Sequence, residues 1–189
     1  HYTINILRSI MTENKTEWLA ELVDPKHPAL HTKATLNPFA SDSIDWKERE
    51  QAMFTIMHDS LGIGLASPQC GDGHRMFVMV HTTKGDIGIF NPEIIDASSK
   101  TCVIEEGCLT FPLLYLNITR PETVKVKYAT ADGNTIEEEL TGIDARVFQH
   151  ELDHLEGKLY IDDASELKLG RALKKREKMF KQIQEGNYE

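Results

Sequence analysis

Long apolar runs are missing from this sequence. None approaches the ~20 residues needed to span a bilayer, so no membrane segment is expected. The opening His1-Tyr2-Thr3-Ile4-Asn5 has neither a basic region nor a small-residue cleavage site, so no secretory signal is expected either. Cysteine is scarce. Cys70, Cys102 and Cys108 cannot all pair within one chain, which excludes a small disulfide scaffold and favours a reducing compartment, read as the cytoplasm. Cations are outnumbered, with 21 Lys and Arg against 30 Asp and Glu, a net charge of −9. That balance argues against a generic nucleic-acid binder, because phosphate contacts need clustered positive charge, and leaves room for a local basic patch near the C-terminus. Nucleotide loops are absent too. The glycine-rich stretch Gly62 to Gln69 has no Lys-Ser/Thr, and no G-x-G-x-x-G follows a strand. There is no internal repeat, linker or low-complexity tract.

What is present suits one domain of 189 residues with a sizeable core. Glu13 to Leu22 offers a helical turn or two, then Asp24-Pro25-Lys26-His27-Pro28 breaks it. Trp46, Met53, Ile56 and Met57 recur at helical spacing, with Ser43 as the expected cap and Gly62 as the expected left-handed end. Met76 to Val80 reads as a buried strand. Gly88 to Phe90 and Glu93 to Ile95 read as two short strands broken by Asn91-Pro92. Thr123 to Ala129 alternates, with Val124, Val126 and Tyr128 on one face, and Thr135 to Leu140 returns after Asp132-Gly133-Asn134. Ile143 to Glu156 is apolar on most faces, which predicts a buried helix closed by Gly157. A last helix runs from about Ala164 to Gln184. Strands before helices, without βαβ alternation, predict an α+β domain: antiparallel sheets around a buried metal-binding helix, plus a C-terminal basic helix.

The chemistry starts at His150-Glu151-Leu152-Asp153-His154. On a helix, positions i and i+4 stack on one face, so both imidazoles reach one metal ion. Glu151 sits one step round, close enough to take a proton from an activated water. Two histidines and two acids in a buried helix are costly unless ligated or paired. The third ligand separates the classes of hydrolase. The metzincin pattern H-E-x-x-H-x-x-G-x-x-H holds through Gly157 and then fails at Tyr160. A thermolysin-like ligand would be Glu166 or Glu177, and Glu177 lies in a charge-paired surface run. Cys108, after Gly107 at the end of a predicted strand, is the other candidate; a thiolate and two imidazoles leave one position open on a tetrahedral ion. Gln69 carries an amide able to donate to an oxyanion. A structural metal module is the non-enzymatic alternative, and it lacks an evident fourth ligand.

Three segments together resemble the peptide deformylase family, whose signatures are G-φ-G-φ-A-A-x-Q, E-G-C-φ-S and Q-H-E-x-D-H-L-x-G. Here they stand as Gly62 to Gln69, Glu106 to Thr110 and Gln149 to Gly157, in that order. His27-Pro28-Ala29-Leu30 resembles the family's early D-P-x-L segment, and the likeness covers about Asp24 to Leu173. Ser67 and Thr110 replace the family's alanine and serine, and Leu113-Leu114-Tyr115 lacks an arginine that many relatives carry there. Residues 1–23 look like an extension before a catalytic domain over 24–189. The resemblance implies Cys108, His150 and His154 as ligands of one divalent ion, natively Fe²⁺, with Zn²⁺, Ni²⁺ or Co²⁺ as substitutes. It implies Glu151 as the base, and Gln69 with the Leu109 N–H as oxyanion donors. The substrate it implies is an N-formyl-methionyl nascent peptide, from which formate is released. Ile63, Gly64, Ile143 and Val147 are the expected substrate contacts; Val147 and Ile143 lie about one and two turns before His150. A monomer is expected. The final helix carries Lys168, Arg171, Lys174, Lys175, Arg176, Lys178 and Lys181 with Glu177 as the one acid among them, which suggests docking to ribosomal RNA.

Overall fold

The computed structural model describes residues 21–41 and 43–186. Most of the predicted helix over Glu13 to Leu22, and all but the last residues of the 1–23 extension, lie outside them.

The described chain runs α1 (Trp46–Asp59), β1 (Gly64–Ala66), β2 (Met76–His81), β3 (Gly85–Ala97), β4 (Thr101–Cys108), β5 (Phe111–Pro121), β6 (Thr123–Ala129), β7 (Thr135–Thr141), α2 (Gly142–Leu155) and α3 (Glu166–Gln184). Strands β1-β2-β3-β6-β7 form one antiparallel sheet, and β4-β5 form a separate antiparallel pair. The α+β expectation is met.

The two helices flanking the larger sheet explain the strand patterns. Phe77, Met79 and Ile89 point to one face, where Val147, Phe148 and Leu155 of α2 cover them together with Val124, Val126 and Tyr128. Met76, Val78 and Phe90 point to the other, under Trp46, Met53 and Met57 of α1. A strand covered on both faces must be apolar at every position, which is why Met76 to Val80 reads as a continuous run. Phe77 and Phe148 meet edge to face at 5.2 Å. Each such ring, fully buried, contributes ~2–3 kcal/mol. The α2 helix is thus fixed to the sheet before any site chemistry is considered.

Local expectations fail where side chains compete for one role. Asp45, not Ser43, caps α1: its Oδ1 accepts from the N–H groups of Lys47 and Glu48 at 3.0 and 3.1 Å, while Ser43 bonds Ser41. Leu61, not Gly62, takes the left-handed position after α1, with φ +58°. The two short strands around Asn91-Pro92 are one strand, β3, and the break survives as register irregularities with Asn91 at φ +48°. Strand β5 escaped the sequence reading, although Leu114, Leu116, Ile118 and Arg120 alternate inward. Gly157 does close α2: it sits at φ +70°, and the Lys158 N–H returns to the Asp153 carbonyl at 2.9 Å. Ser165 caps α3, which packs Leu169 and Ala172 on Leu116, Ile118 and Tyr160.

Candidate metal centre

Helix α2 presents His150 and His154 on one face, their rings 5.1 Å apart. The β4-β5 hairpin tip brings Cys108 to them, with Sγ 3.3 Å from His154 Nε2. One ligand atom from each of the three lies within 4.8 Å of the other two. Glu151, the next α2 residue, is buried beside them against the backbone of β1. A Cβ added to Gly64 would lie 2.8 Å from Glu151 Cδ and 2.9 Å from Val147 Cγ1, so only glycine leaves room for the carboxylate. Gly62 serves the opposite wall: a Cβ there would meet Leu109 Cδ1 at 2.8 Å.

Hydrogen bonds fix which atoms face the centre. His150 Nδ1 lies 2.9 Å from Glu106 Oε2. A carboxylate only accepts, so Nδ1 carries the proton and Nε2 is left for a ligand role. Gln69, 2% exposed, has its Oε1 held by the Ala66 N–H at 2.9 Å. That sets the amide orientation, so Nε2 points at Thr110 Oγ1 (3.1 Å) and Cys108 Sγ (3.5 Å).

Glu106 is the hub that the sequence reading passed over. It accepts a two-pronged pair from Arg120, Nε at 2.6 Å and Nη2 at 3.0 Å, and a third bond from Arg146 Nη1 at 2.8 Å. Arg120 also reaches Asp153 at 2.6 Å, and Arg146 donates to the carbonyls of Ile118 and Cys102. Strand β4, strand β5 and helix α2 are tied at one carboxylate. A buried charge left single is costly; here each has a partner of opposite sign. Burial alone would raise the Glu106 carboxyl, but His150 and Arg120 hold it well below the usual carboxylate range. The sequence signal was available: Glu106 stands in the same segment as Cys108, and Arg120 and Arg146 interrupt otherwise apolar inward positions.

The electrostatics favour a cation. Burial would raise the Cys108 thiol, but the His154 and His150 imidazoles outweigh it and hold the sulfur well below the thiol range. Burial would lower His150, yet its bonds to Cys108 and Glu106 lift it to about 10. Both shifts favour a negative sulfur beside positive charge, the role a divalent ion would fill. Burial lifts Glu151 to about 7, against the pull of both imidazoles. Its Oε2 and His154 Nδ1 are buried with no hydrogen bond among the described residues. The donor set of one thiolate and two imidazoles fits Zn²⁺ or Fe²⁺ with a position open.

The alternative ligands are placed elsewhere. Tyr160 donates its hydroxyl to the Leu114 carbonyl at 2.8 Å and lays its ring 5.6 Å from that of His150. Glu177 is exposed and pairs with Lys181 at 3.2 Å. Among the expected substrate contacts, Gly64 and Val147 lie beside Glu151, whereas Ile63 and Ile143 are half-exposed at 49% and 45%.

The family model described as polypeptide deformylase matches residues 19–169. The chain belongs to that family. The peptide deformylase of Thermotoga maritima is 43% identical over 141 residues, covering 75% of this chain and 84% of the relative. That of Rhodopseudomonas palustris strain BisA53 is 38% identical over 160 residues, covering 82% and 89%. Among solved structures, the Thermotoga maritima peptide deformylase superposes with a TM-score of 0.71 at 41% identity, covering 77% of this chain and 97% of that one. The Synechococcus elongatus enzyme in complex with actinonin gives 0.76 at 29% identity, covering 89% and 91%. The deformylase assignment and the Cys108, His150, His154 cluster support the same reading, and among the described residues no group with Glu166 or Glu177 gathers around the two histidines.

Proposed function

We propose that this member of the peptide deformylase family hydrolyses the formyl group from N-formyl-methionyl peptides, releasing formate, through Cys108, His150, His154 and Glu151. The observation that carries this is the juxtaposition of the three ligand atoms within 4.8 Å and a buried carboxylate lifted to about 7. A divalent ion held by Cys108, His150 and His154 supplies Lewis acidity, making water a nucleophile near neutral pH and polarising the formyl oxygen. Glu151 takes the proton of the attacking water and returns it to the leaving amine as the C–N bond breaks. A base titrating near neutrality suits both halves of that task. Gln69 Nε2, held toward Cys108 Sγ, and the Leu109 N–H donate to the developing oxyanion; one such donor typically lowers a barrier by ~3 kcal/mol. The methionine side chain packs on Val147, with Ile63 and Ile143 at the rim. Among the described residues strand β1 pairs only with β2, so its other edge beside Glu151 can pair with the backbone of an extended peptide.

Fe²⁺ is the native ion in this reading, with Zn²⁺, Ni²⁺ and Co²⁺ as substitutes. Formyl-Met-Ala-Ser should release formate with protein purified without oxygen, and metal analysis should find about one divalent ion per chain, as one site holds one ion. Iron-loaded protein should lose activity in air while nickel-loaded protein does not, because iron and its thiolate ligand are both open to oxidation. Equal lifetimes would remove iron from Cys108; absence of formate release under either ion would remove the function.

Cys108 must stay a free thiolate to serve, which supports a reducing, cytoplasmic setting. Among the described residues no helix is long and apolar enough to cross a membrane. We assign residues 1–23 as an extension to a catalytic domain over 24–189, working as a monomer. Helix α3 is assigned as a ribosome-docking element. Its body-facing side is held by Leu169 and Ala172, and by Arg176 Nε donating to the Pro112 carbonyl at 2.8 Å, while Lys168, Arg171, Lys174, Lys175 and Lys178 are exposed. Removing the helix would uncover Tyr160, so charge reversal is the cleaner test. Lys174→Glu with Lys175→Glu and Lys178→Glu should weaken co-sedimentation with ribosomes. Binding by the parent should fall steeply with salt, since roughly one counterion is released for each phosphate that a Lys or Arg neutralises. Salt-independent binding, or binding unchanged by the triple substitution, would return α3 to a solvated surface helix.

A further inference from the structure

Leu61 combines two unfavourable choices at one position. Its backbone is left-handed, φ +58°, where glycine or asparagine fits and a branched side chain does not. Its side chain is 93% exposed, so no burial offsets that cost. The helix end itself is ordinary: the Leu61 N–H reaches the His58 carbonyl at 2.9 Å and the Gly62 N–H reaches the Met57 carbonyl at 2.8 Å. A glycine at 61 would satisfy it with less strain. A single exposed leucine is unremarkable on a protein surface, but strain retained without packing marks positions kept for another purpose.

Its place in the fold indicates that purpose. Leu61 directly precedes Gly62, whose backbone packs on Leu109, the neighbour of Cys108. It stands three residues before Gly64, which backs Glu151. Three residues of chain span at most roughly 10 Å, and the left-handed turn at Leu61 shortens that. A peptide paired along the free edge of β1, with its formyl group at Glu151, would direct the residues after its methionine beyond Gly64 toward Ile63 and Leu61.

We infer that Leu61 is a specificity-determining residue, forming with Ile63 an apolar shelf for the side chains that follow the formyl-methionine, so that the enzyme favours substrates with apolar second and third residues. This rests on the deformylase reading above. The shelf begins at the rim of the methionine pocket, at Ile63, and takes no part in proton transfer, so it acts on KM rather than on the chemical step.

The test compares formyl-Met-Leu-Leu with formyl-Met-Ser-Ser on the parent, Leu61→Asn and Leu61→Gly. Both substitutions suit a left-handed backbone, so Tm should equal or exceed that of the parent and loss of folding does not confuse the result. The parent should prefer the leucine peptide, and both variants should lose about tenfold of that preference in kcat/KM, carried by KM. A preference within about twofold of the parent's in both variants, well below the expected loss, overturns the shelf while leaving the deformylase reading intact. A parent that releases formate from neither peptide fails the deformylase reading itself.

Discussion

Glu151→Gln should abolish most turnover while the protein stays folded and keeps its metal. The change is nearly isosteric, so the group packed against Gly64 retains its shape, and the ligand atoms of Cys108, His150 and His154 are untouched. What disappears is the capacity to take and return a proton. Loss of a general base typically costs ~10²–10⁴-fold in rate. Because the parent carboxylate is buried and raised by that burial, a neutral amide in its place costs less in desolvation than the charged group, and Tm should not fall. The measurement is kcat on a short formyl-peptide with metal content determined on the same sample. A rate within about tenfold of the parent at full occupancy, below the range for a lost base, would take Glu151 out of the proton transfer.

Cys108→Ser and His154→Ala should fail differently, losing metal and activity together. Two imidazoles hold the Cys108 sulfur well below the thiol range; a serine hydroxyl in its place stays protonated and offers a weak, neutral donor. Disturbing an outer partner of a ligand already costs about 10–100-fold in affinity, and deleting a ligand should cost at least that. Dialysis against a chelator, followed by metal analysis, reads the effect without relying on turnover. Should Cys108→Ser keep full occupancy and full rate, the third ligand lies elsewhere.

The reactive residues were legible because their spacing is periodic. His150 and His154 are four apart on a helix whose apolar residues already marked it as buried, and the metzincin ligand position failed openly at Tyr160. Cys108 was legible as a candidate but not as a ligand from spacing alone, since 46 positions separate it from His154 and only the folded hairpin joins them. The same distance hid the hub. Glu106, Arg120 and Arg146 come from β4, β5 and α2; each stands out locally as a charge, but nothing local says that the two arginines meet on that one carboxylate. Strand β5 was missed because its inward side ends in Arg120, a charge at a position that reads as solvent. The turn errors have another origin. At Ser43 and Asp45 two good capping residues compete, and geometry favours the one nearer the first turn. At Leu61 the glycine rule was sound and the protein breaks it, beside the site.

The ligand set also joins two pieces of the chain that share no sheet. His150 and His154 ride on α2, packed to the five-stranded sheet, while Cys108 sits at the tip of the separate β4-β5 pair. The described cysteines are all free thiols, so no covalent bond links these pieces. An ion shared by Cys108 and His154 closes a loop across those 46 positions. A cross-link of that length removes on the order of 4 kcal/mol of disorder from the unfolded chain. The proposed metal centre would therefore serve as the molecule's reversible staple, and chelation would lower its melting temperature along with its rate.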